Sequence, residues 1–284
     1  MRRPTAFRRI TASALAISLT FALTAPSVAQ AEAPADVAAA NTRPQQWGLA
    51  RHAMVAAANP LAVEAGVEVL RKGGSAVDAA VAIQAVLGLV EPQSSGLGGG
   101  GFMIYYDAST RKVTAYDGRE MAPSGASNHL LVDDGGKPLP FVDAVLGGIS
   151  TGVPGAVAML DMAHRDHGKL AWGSLFGKAH ELAADGFIVS PRLAGMIKSR
   201  APQASSPDAV RYFSKPDGTR YVAGDRLRNP AYAQTLERIA KFGASGLLTG
   251  PVAQDIITRL HEGPRPSTMT VSYTHLTLPT IYSV

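Results

Sequence analysis

Apolar side chains recur at Leu61, Ala65, Val69 and Leu70, the spacing of one helix face. Asn59-Pro60 precedes them as an N-cap followed by Pro at the first helical position, and Gly73-Gly74 supplies a stop. Ser75-x-x-Asp78 then opens a second helix with the form of a capping box. That helix, Ala76 to Val90, is apolar nearly all round through Val77, Val81, Ile83, Val86, Leu87 and Leu89. A helix with no polar stripe belongs inside a large core. The period then shortens. Phe102-Met103-Ile104-Tyr105-Tyr106 predicts a buried strand, Asp107 to Lys112 a turn, and Val113 to Tyr116 a second strand, together a hairpin. Asp117-Gly118-Arg119-Glu120 lies at its exit.

The remainder predicts helices over Pro154 to Asp166, Gly173 to Asp185, Pro191 to Arg200, Pro230 to Lys241 and Pro251 to Glu262. Gly168 closes the first and Gly186 the second. Clusters of Pro, Ser, Asp and Gly over 201–229 predict surface loop with short strands. Two core helices against a sheet, followed by peripheral helices, make a mixed α and β (α+β) layered domain. From Gly263 onward the text lacks both an acid and a helical period. Residues 264–284 read as a non-family, artefactual tail.

Composition alters this picture at the N-terminus. The chain has 284 residues and a formal charge of +5. Four of its 27 basic residues, Arg2, Arg3, Arg8 and Arg9, precede residue 10, and the first 31 residues contain no acid. Without them 23 basic residues face 22 acidic ones, a net +1. No basic stripe remains, so nucleic acid is not an expected partner. Met1 to Arg9 is a basic n-region, Ile10 to Ala25 an apolar stretch short for a membrane span, and Ala29-Gln30-Ala31 an A-x-A cleavage signal. Residues 1–31 are therefore expected to be a signal peptide cleaved near Ala31, giving a periplasmic or secreted bacterial product with no membrane contact afterwards. Residues 32–46 read as a flexible mature N-terminus, with structure beginning near Trp47. Cysteine is absent. A thiol nucleophile, a disulfide framework and an iron–sulfur cluster are thereby excluded, and a nucleophile must be a hydroxyl, carboxylate or amine.

Three segments could carry chemistry. Gly96, Gly98 and Gly101 formally match G-x-G-x-x-G. A helix precedes and a strand follows, the reverse of a dinucleotide site. The run instead suggests backbone passing close to another segment or to a ligand. Arg119 is either a solvated side chain or a guanidinium fork for a carboxylate. Asp161, His164 and His167 are spaced i, i+3, i+6, which drifts round a helix and reads as a solvated face rather than a metal site. His180-Glu181 lacks the second His of a zinc-protease helix, and neither a G-x-S-x-G elbow nor a Walker loop is present.

An ordered set of five motifs goes further. Asn59-Pro60-Leu61-Ala62, Gly73-Gly74-Ser75-Ala76-Val77-Asp78-Ala79-Ala80, Gly96-Leu97-Gly98-Gly99-Gly100-Gly101-Phe102, Asp117-Gly118-Arg119-Glu120-Met121-Ala122-Pro123 and Val153-Pro154-Gly155 follow one another. The set resembles the large-subunit half of the gamma-glutamyltransferase family, from about Gly48 to about Gly263. The resemblance implies an N-terminal nucleophile hydrolase with an αββα sandwich, of which 47–263 is an incomplete large-subunit region. It implies a secreted zymogen that cleaves itself, exposing a threonine whose α-amine serves as general base. That threonine would transfer the γ-glutamyl group of glutathione and related compounds to amino acids, peptides or water. Arg119 matches the arginine that grips the substrate's α-carboxylate. The partners implied are the substrate and the chain's own small subunit, with no metal or organic cofactor.

No catalytic residue is assigned in this chain; the nucleophilic threonine is expected downstream. Thr274-His275 is a poor match, because Tyr273 stands where the processing motif has Thr. Three alternatives accompany this reading: a cephalosporin or glutaryl acylase of the same superfamily, a periplasmic solute-binding protein, and a catalytically dead truncated relative. A large-subunit part alone is expected to be inactive and poorly soluble, with an unpaired sheet edge and the helix Ala76–Val90 half covered.

Overall fold

The computed structural model describes residues 50–262 and 265–267, and the backbone of 281–283. The chain divides into two compact units, Met1–Leu49 and Ala50–Val284, and the description concerns the second. The expected signal peptide, the segment 32–46, the start near Trp47 and the Thr274-His275 pair lie outside the described residues.

Helix α1 (Pro60–Arg71) opens on Asn59, whose side chain accepts the Leu61 N–H. Gly73 follows at φ +87°, a left-handed conformation that glycine adopts without strain. Helix α2 (Ala76–Val90) opens on the expected capping box: Ser75 Oγ accepts the Asp78 N–H, and the Asp78 carboxylate accepts the Ser75 N–H. The same Asp78 Oδ2 also accepts the N–H groups of Lys169 and Leu170, at 3.0 and 3.1 Å. The cap thereby joins two parts of the chain ninety residues apart.

Strands β1 (Gly101–Asp107) and β2 (Lys112–Gly118) form the expected antiparallel hairpin, with Ile104 opposite Ala115. The turn between them carries Arg111 at φ +57°. The strand is not buried on both faces as expected. Met103 and Tyr105 pack against the core, whereas Phe102, Ile104 and Tyr106 are 66%, 69% and 57% exposed. Side chains alternate across a strand, and only one face of this hairpin has a layer over it. The backbone of β5 (Ile281–Ser283) pairs antiparallel with β2, giving the order β1-β2-β5 with β1 at an edge.

The later helices differ in detail from expectation. A short helix α3 (Phe141–Leu146) precedes α4 (Ala156–His167), which lies against β1 and β2. The single helix expected from Gly173 is a 3₁₀ turn (Trp172–Phe176) followed by α5 (Gly177–Asp185). Trp172 Nε1–H donates to Ile239 O at 2.8 Å, a tertiary bond that local periodicity cannot reveal. Next come β3 (Phe187–Ile188) and α6 (Pro191–Ile197). The expected loop 201–229 contains a 3₁₀ turn (Pro202–Ser205), α7 (Pro207–Tyr212) and β4 (Arg226–Leu227), which pairs with β3. Ser206 caps α7 and Pro207 opens it, a start signal hidden among turn-forming residues.

Helix α8 (Pro230–Phe242) is not peripheral. Its Leu236 and Ile239 are fully buried, and Tyr232 Oη donates to Ala85 O of α2 at 2.8 Å. Helices α9 (Ser245–Leu248) and α10 (Gly250–His261) follow. Helix α2 is the centre of the core, touching α1, α4 and α5. Only Ala76 along its length is exposed, so it is not half covered. Among the described residues no helix is long and apolar enough to cross a membrane.

Candidate functional site

The glycine run, the exit of β2 and the entry of α4 meet at one place. The Gly99 carbonyl accepts the N–H groups of Gly155 and Ala156 at 3.2 and 3.0 Å. It thereby satisfies orphan donors of the α4 N-terminus, which has no side-chain cap. Gly100 lies so close to the strand exit that a Cβ there would stand 2.6 Å from Glu120 Oε2 and from Gly118 O. A Cβ on Gly118 would meet Met159 and the Gly155 carbonyl. No glycine of the run has a positive φ. The run therefore serves close approach of backbones, one of the two readings left open by its sequence, rather than a left-handed turn. Met121 and Val153 exchange backbone hydrogen bonds at 3.3 and 2.7 Å, which ties the second side of the loop.

This clamp presents Arg119. Its backbone N–H donates to Asp117 Oδ1 at 2.9 Å. Its side chain is 69% exposed, with Nε 3.4 Å from Glu120 Oε2. Such an exposed pair is worth ~1 kcal/mol at most, so Glu120 does not hold Arg119 away from a ligand. Glu120 lines a cleft of about 450 Å³ with Gln84, Gln93, Ser95 and the run glycines Gly98 and Gly100. Gln84 Nε2 donates to Ser95 Oγ at 3.0 Å, bracing the entry of the run.

Behind the cleft lies a polar cluster that reading the sequence did not single out. Glu91, 1% exposed, ends α2. Its carboxylate accepts from Asn59 Nδ2 at 3.0 Å and Gln93 Nε2 at 2.6 Å, and Arg192 NH1 lies at 3.2 Å. Buried charge persists when paired and hydrogen-bonded in this way. The one local signal was an acid closing an almost wholly apolar helix. Asn59 was legible as a cap, but its second bond to Glu91 was not.

The Asp161, His164 and His167 series does not converge. Asp161 accepts from Arg165 and from the Ala244 N–H. His164 Nε2 lies 2.9 Å from Leu170 O and 3.5 Å from Asp78 Oδ1. His167 stacks on Tyr105 at 3.8 Å. His164 is half-buried among these partners rather than on a solvated face. Among the described residues no group of three or more His, Asp or Glu is placed to hold a metal ion. His180 pairs with Glu237 at 2.8 Å.

Comparison with known proteins puts this arrangement in context. The family pattern described as gamma-glutamyltranspeptidase matches residues 62–272. The glutathione hydrolase proenzyme of Bacillus subtilis strain 168 is 38% identical over 212 residues, covering 75% of this chain and 36% of that protein. The glutathione hydrolase proenzyme of Escherichia coli K12 is 34% identical over 215 residues, covering 75% and 37%. The chain thus spans little more than a third of the length of these relatives. The Helicobacter pylori gamma-glutamyltranspeptidase structure superposes with a TM-score of 0.74 at 30% identity, covering 84% of this chain and 66% of that one. A cephalosporin acylase from Bacillus halodurans shares the fold, with a TM-score of 0.61 at 23% identity over 84% of this chain and 46% of that one. The mixed α and β architecture is accordingly that of the N-terminal nucleophile hydrolases. By the match over most of its length, the chain belongs to the gamma-glutamyltranspeptidase family.

Proposed function

We propose that the protein is the large-subunit portion of a secreted, self-processing enzyme that transfers the γ-glutamyl group of glutathione and related compounds to amino acids, peptides or water. The observation that carries this reading is the setting of Arg119, an accessible guanidinium on a loop clamped between the glycine run and Val153–Gly155. Arg119 binds the substrate α-carboxylate through two parallel N–H···O bonds, which a Lys ammonium cannot match. The family resemblance assigns the nucleophile to a threonine outside these 284 residues, on the small subunit. Its hydroxyl attacks the γ-carbonyl carbon while its proton passes to the threonine's own α-amine. The C–N bond breaks, the leaving amine takes that proton, and an acyl ester remains. Water or an acceptor amine then releases the γ-glutamyl group. This chemistry calls for no metal or organic cofactor. Residues 1–31 direct the product to the periplasm or the exterior.

The test begins with sequencing the source gene past the codon for Thr268. A frame that continues into a Thr-Thr-His-type motif is the expected result; a genomic stop after Val284 would leave only shared ancestry. On the full gene product, Arg119→Ala should raise KM for a γ-glutamyl anilide by roughly 10²-fold or more, the cost of unpairing a charge partner. Arg119→Lys should recover only part of that loss. Faster turnover of a glutaryl amide than of the γ-glutamyl anilide would instead favour the acylase chemistry.

A further inference from the structure

Glu91 places a buried carboxylate beside the cleft and joins three separate parts of the chain. Asn59, the cap of α1, accepts the Leu61 N–H through Oδ1 and so turns Nδ2 to Glu91 Oε1. Gln93 Nε2 and Arg192 NH1 of α6 both reach Oε2, at 2.6 and 3.2 Å. The Glu91 carbonyl accepts the N–H groups of Ser94 and Ser95, both at 3.0 Å. An apolar side chain would fill this space without the cost of desolvating a charge. A carboxylate met by three directional donors holds one geometry instead.

That geometry reaches the cleft. Gln93, Ser94 and Ser95, all bonded to Glu91, form its wall together with the glycine run. Gly96 O accepts the Gly99 N–H at 3.4 Å, Gly99 O accepts the N–H groups of Gly155 and Ala156, and Gly100 abuts Gly118 O and Glu120. Backbone contacts of this kind leave little room to shift. The place where the run starts therefore fixes where it meets the segment carrying Arg119. Neither Glu91 nor Arg192 lines the cleft.

From this continuous set of contacts, we infer that Glu91, held by Arg192, is a positioning residue: its carboxylate sets the course of residues 92–100, and through them the seat of Arg119 for a substrate carboxylate. The inference rests on the role proposed for Arg119, and it is tested by one readout that needs no catalysis and one that does.

The first readout is site-resolved amide hydrogen exchange of the 284-residue chain. Glu91→Gln keeps the shape but turns an NH₂ group against one of the donors. It should speed exchange at Gly155 and Ala156, the donors to Gly99 O, by roughly ten-fold relative to Lys169 and Leu170, which Asp78 holds. On the full gene product, Glu91→Gln should raise KM for a γ-glutamyl anilide roughly ten-fold and change kcat by less than about two-fold. Arg192→Met, at a largely exposed side chain outside the cleft, should move both readouts the same way by about three-fold. A merely structural role would lower the amount of folded enzyme and leave KM alone, the pattern expected of Asp78→Asn. Unchanged exchange at Gly155 and Ala156 would overturn the inference. So would an unchanged KM in Glu91→Gln where Arg119→Ala raises it. If Arg119→Ala also leaves KM unchanged, the reading of Arg119 fails instead, and exchange alone decides whether Glu91 sets the run. Should Glu91→Gln not fold, Arg192→Met decides both readouts.

Discussion

A methyl group on Gly100 would stand 2.6 Å from both Glu120 Oε2 and Gly118 O. The Gly118 oxygen is backbone and cannot swing aside. Gly100→Ala is therefore expected to cost about 1–3 kcal/mol. Gly98→Ala, where a Cβ meets nothing within 4 Å, should change stability by less than about 0.5 kcal/mol. Thermal denaturation of the two variants checks the contrast; equal losses would remove the close-approach argument. Tyr116 shows another single-residue effect. It is 1% exposed and donates to Asp166 Oδ2 at 2.8 Å. Burial, and then the Asp166 carboxylate, push its phenol well above the ordinary tyrosine value. The fold thus favours the neutral phenol. That stability is present in full below the unfolded-chain value near pH ~10 and is lost as pH rises above it. Tyr116→Phe should flatten the alkaline loss and cost ~1 kcal/mol at neutral pH, measured by urea unfolding across pH. Arg119 and the glycines could be named from their motif. Their contacts with Glu120, Gly118 and Gly155, which stand in the same motifs, could not, because motif order carries no distances.

At the scale of elements, caps were the most legible feature. Asn59-Pro60 and Ser75-x-x-Asp78 each describe a hydrogen-bonding solution closed within a few residues, and α1 and α2 begin where those signals stand. Asp78 does more than cap. Its Oδ2 takes three backbone N–H groups, two of them from Lys169 and Leu170. Asp78→Ala should then cost about 3 kcal/mol or more, beyond the ~1 kcal/mol of an ordinary cap. Asp78→Asn, which keeps an acceptor oxygen, should lose less. Equilibrium urea unfolding measures both, and a loss no larger than that of Ser75→Ala would confine Asp78 to its cap. Elements whose boundaries depend on distant partners were read less well. The 3₁₀ turn ahead of α5 follows Trp172 to Ile239 O, and α7 emerges from a segment of turn-forming composition.

At the scale of the molecule, Phe102, Ile104 and Tyr106 leave the outer hairpin face exposed among the described residues. Phe102, Ile104 and Tyr106 alternate outward along β1 while Met103 and Tyr105 meet the core. An apolar sheet face of this kind promotes association. Ile104→Lys should shift the 284-residue chain towards monomer in sedimentation velocity, with a change in folding stability of under about 0.5 kcal/mol. An unchanged distribution would show that this face is not what drives association. The amino-acid sequence by itself determined the capped helices and the hairpin, which follow from spacing along the chain, and its ordered motifs carried the resemblance to the family. Tertiary structure alone decided which face of β1 is covered, that α8 enters the core, and that Gly100, Arg119 and Gly155 share one clamp. Those outcomes rest on contacts between residues far apart in the chain. Periodicity states which side of an element is apolar, but packing alone states what lies against it.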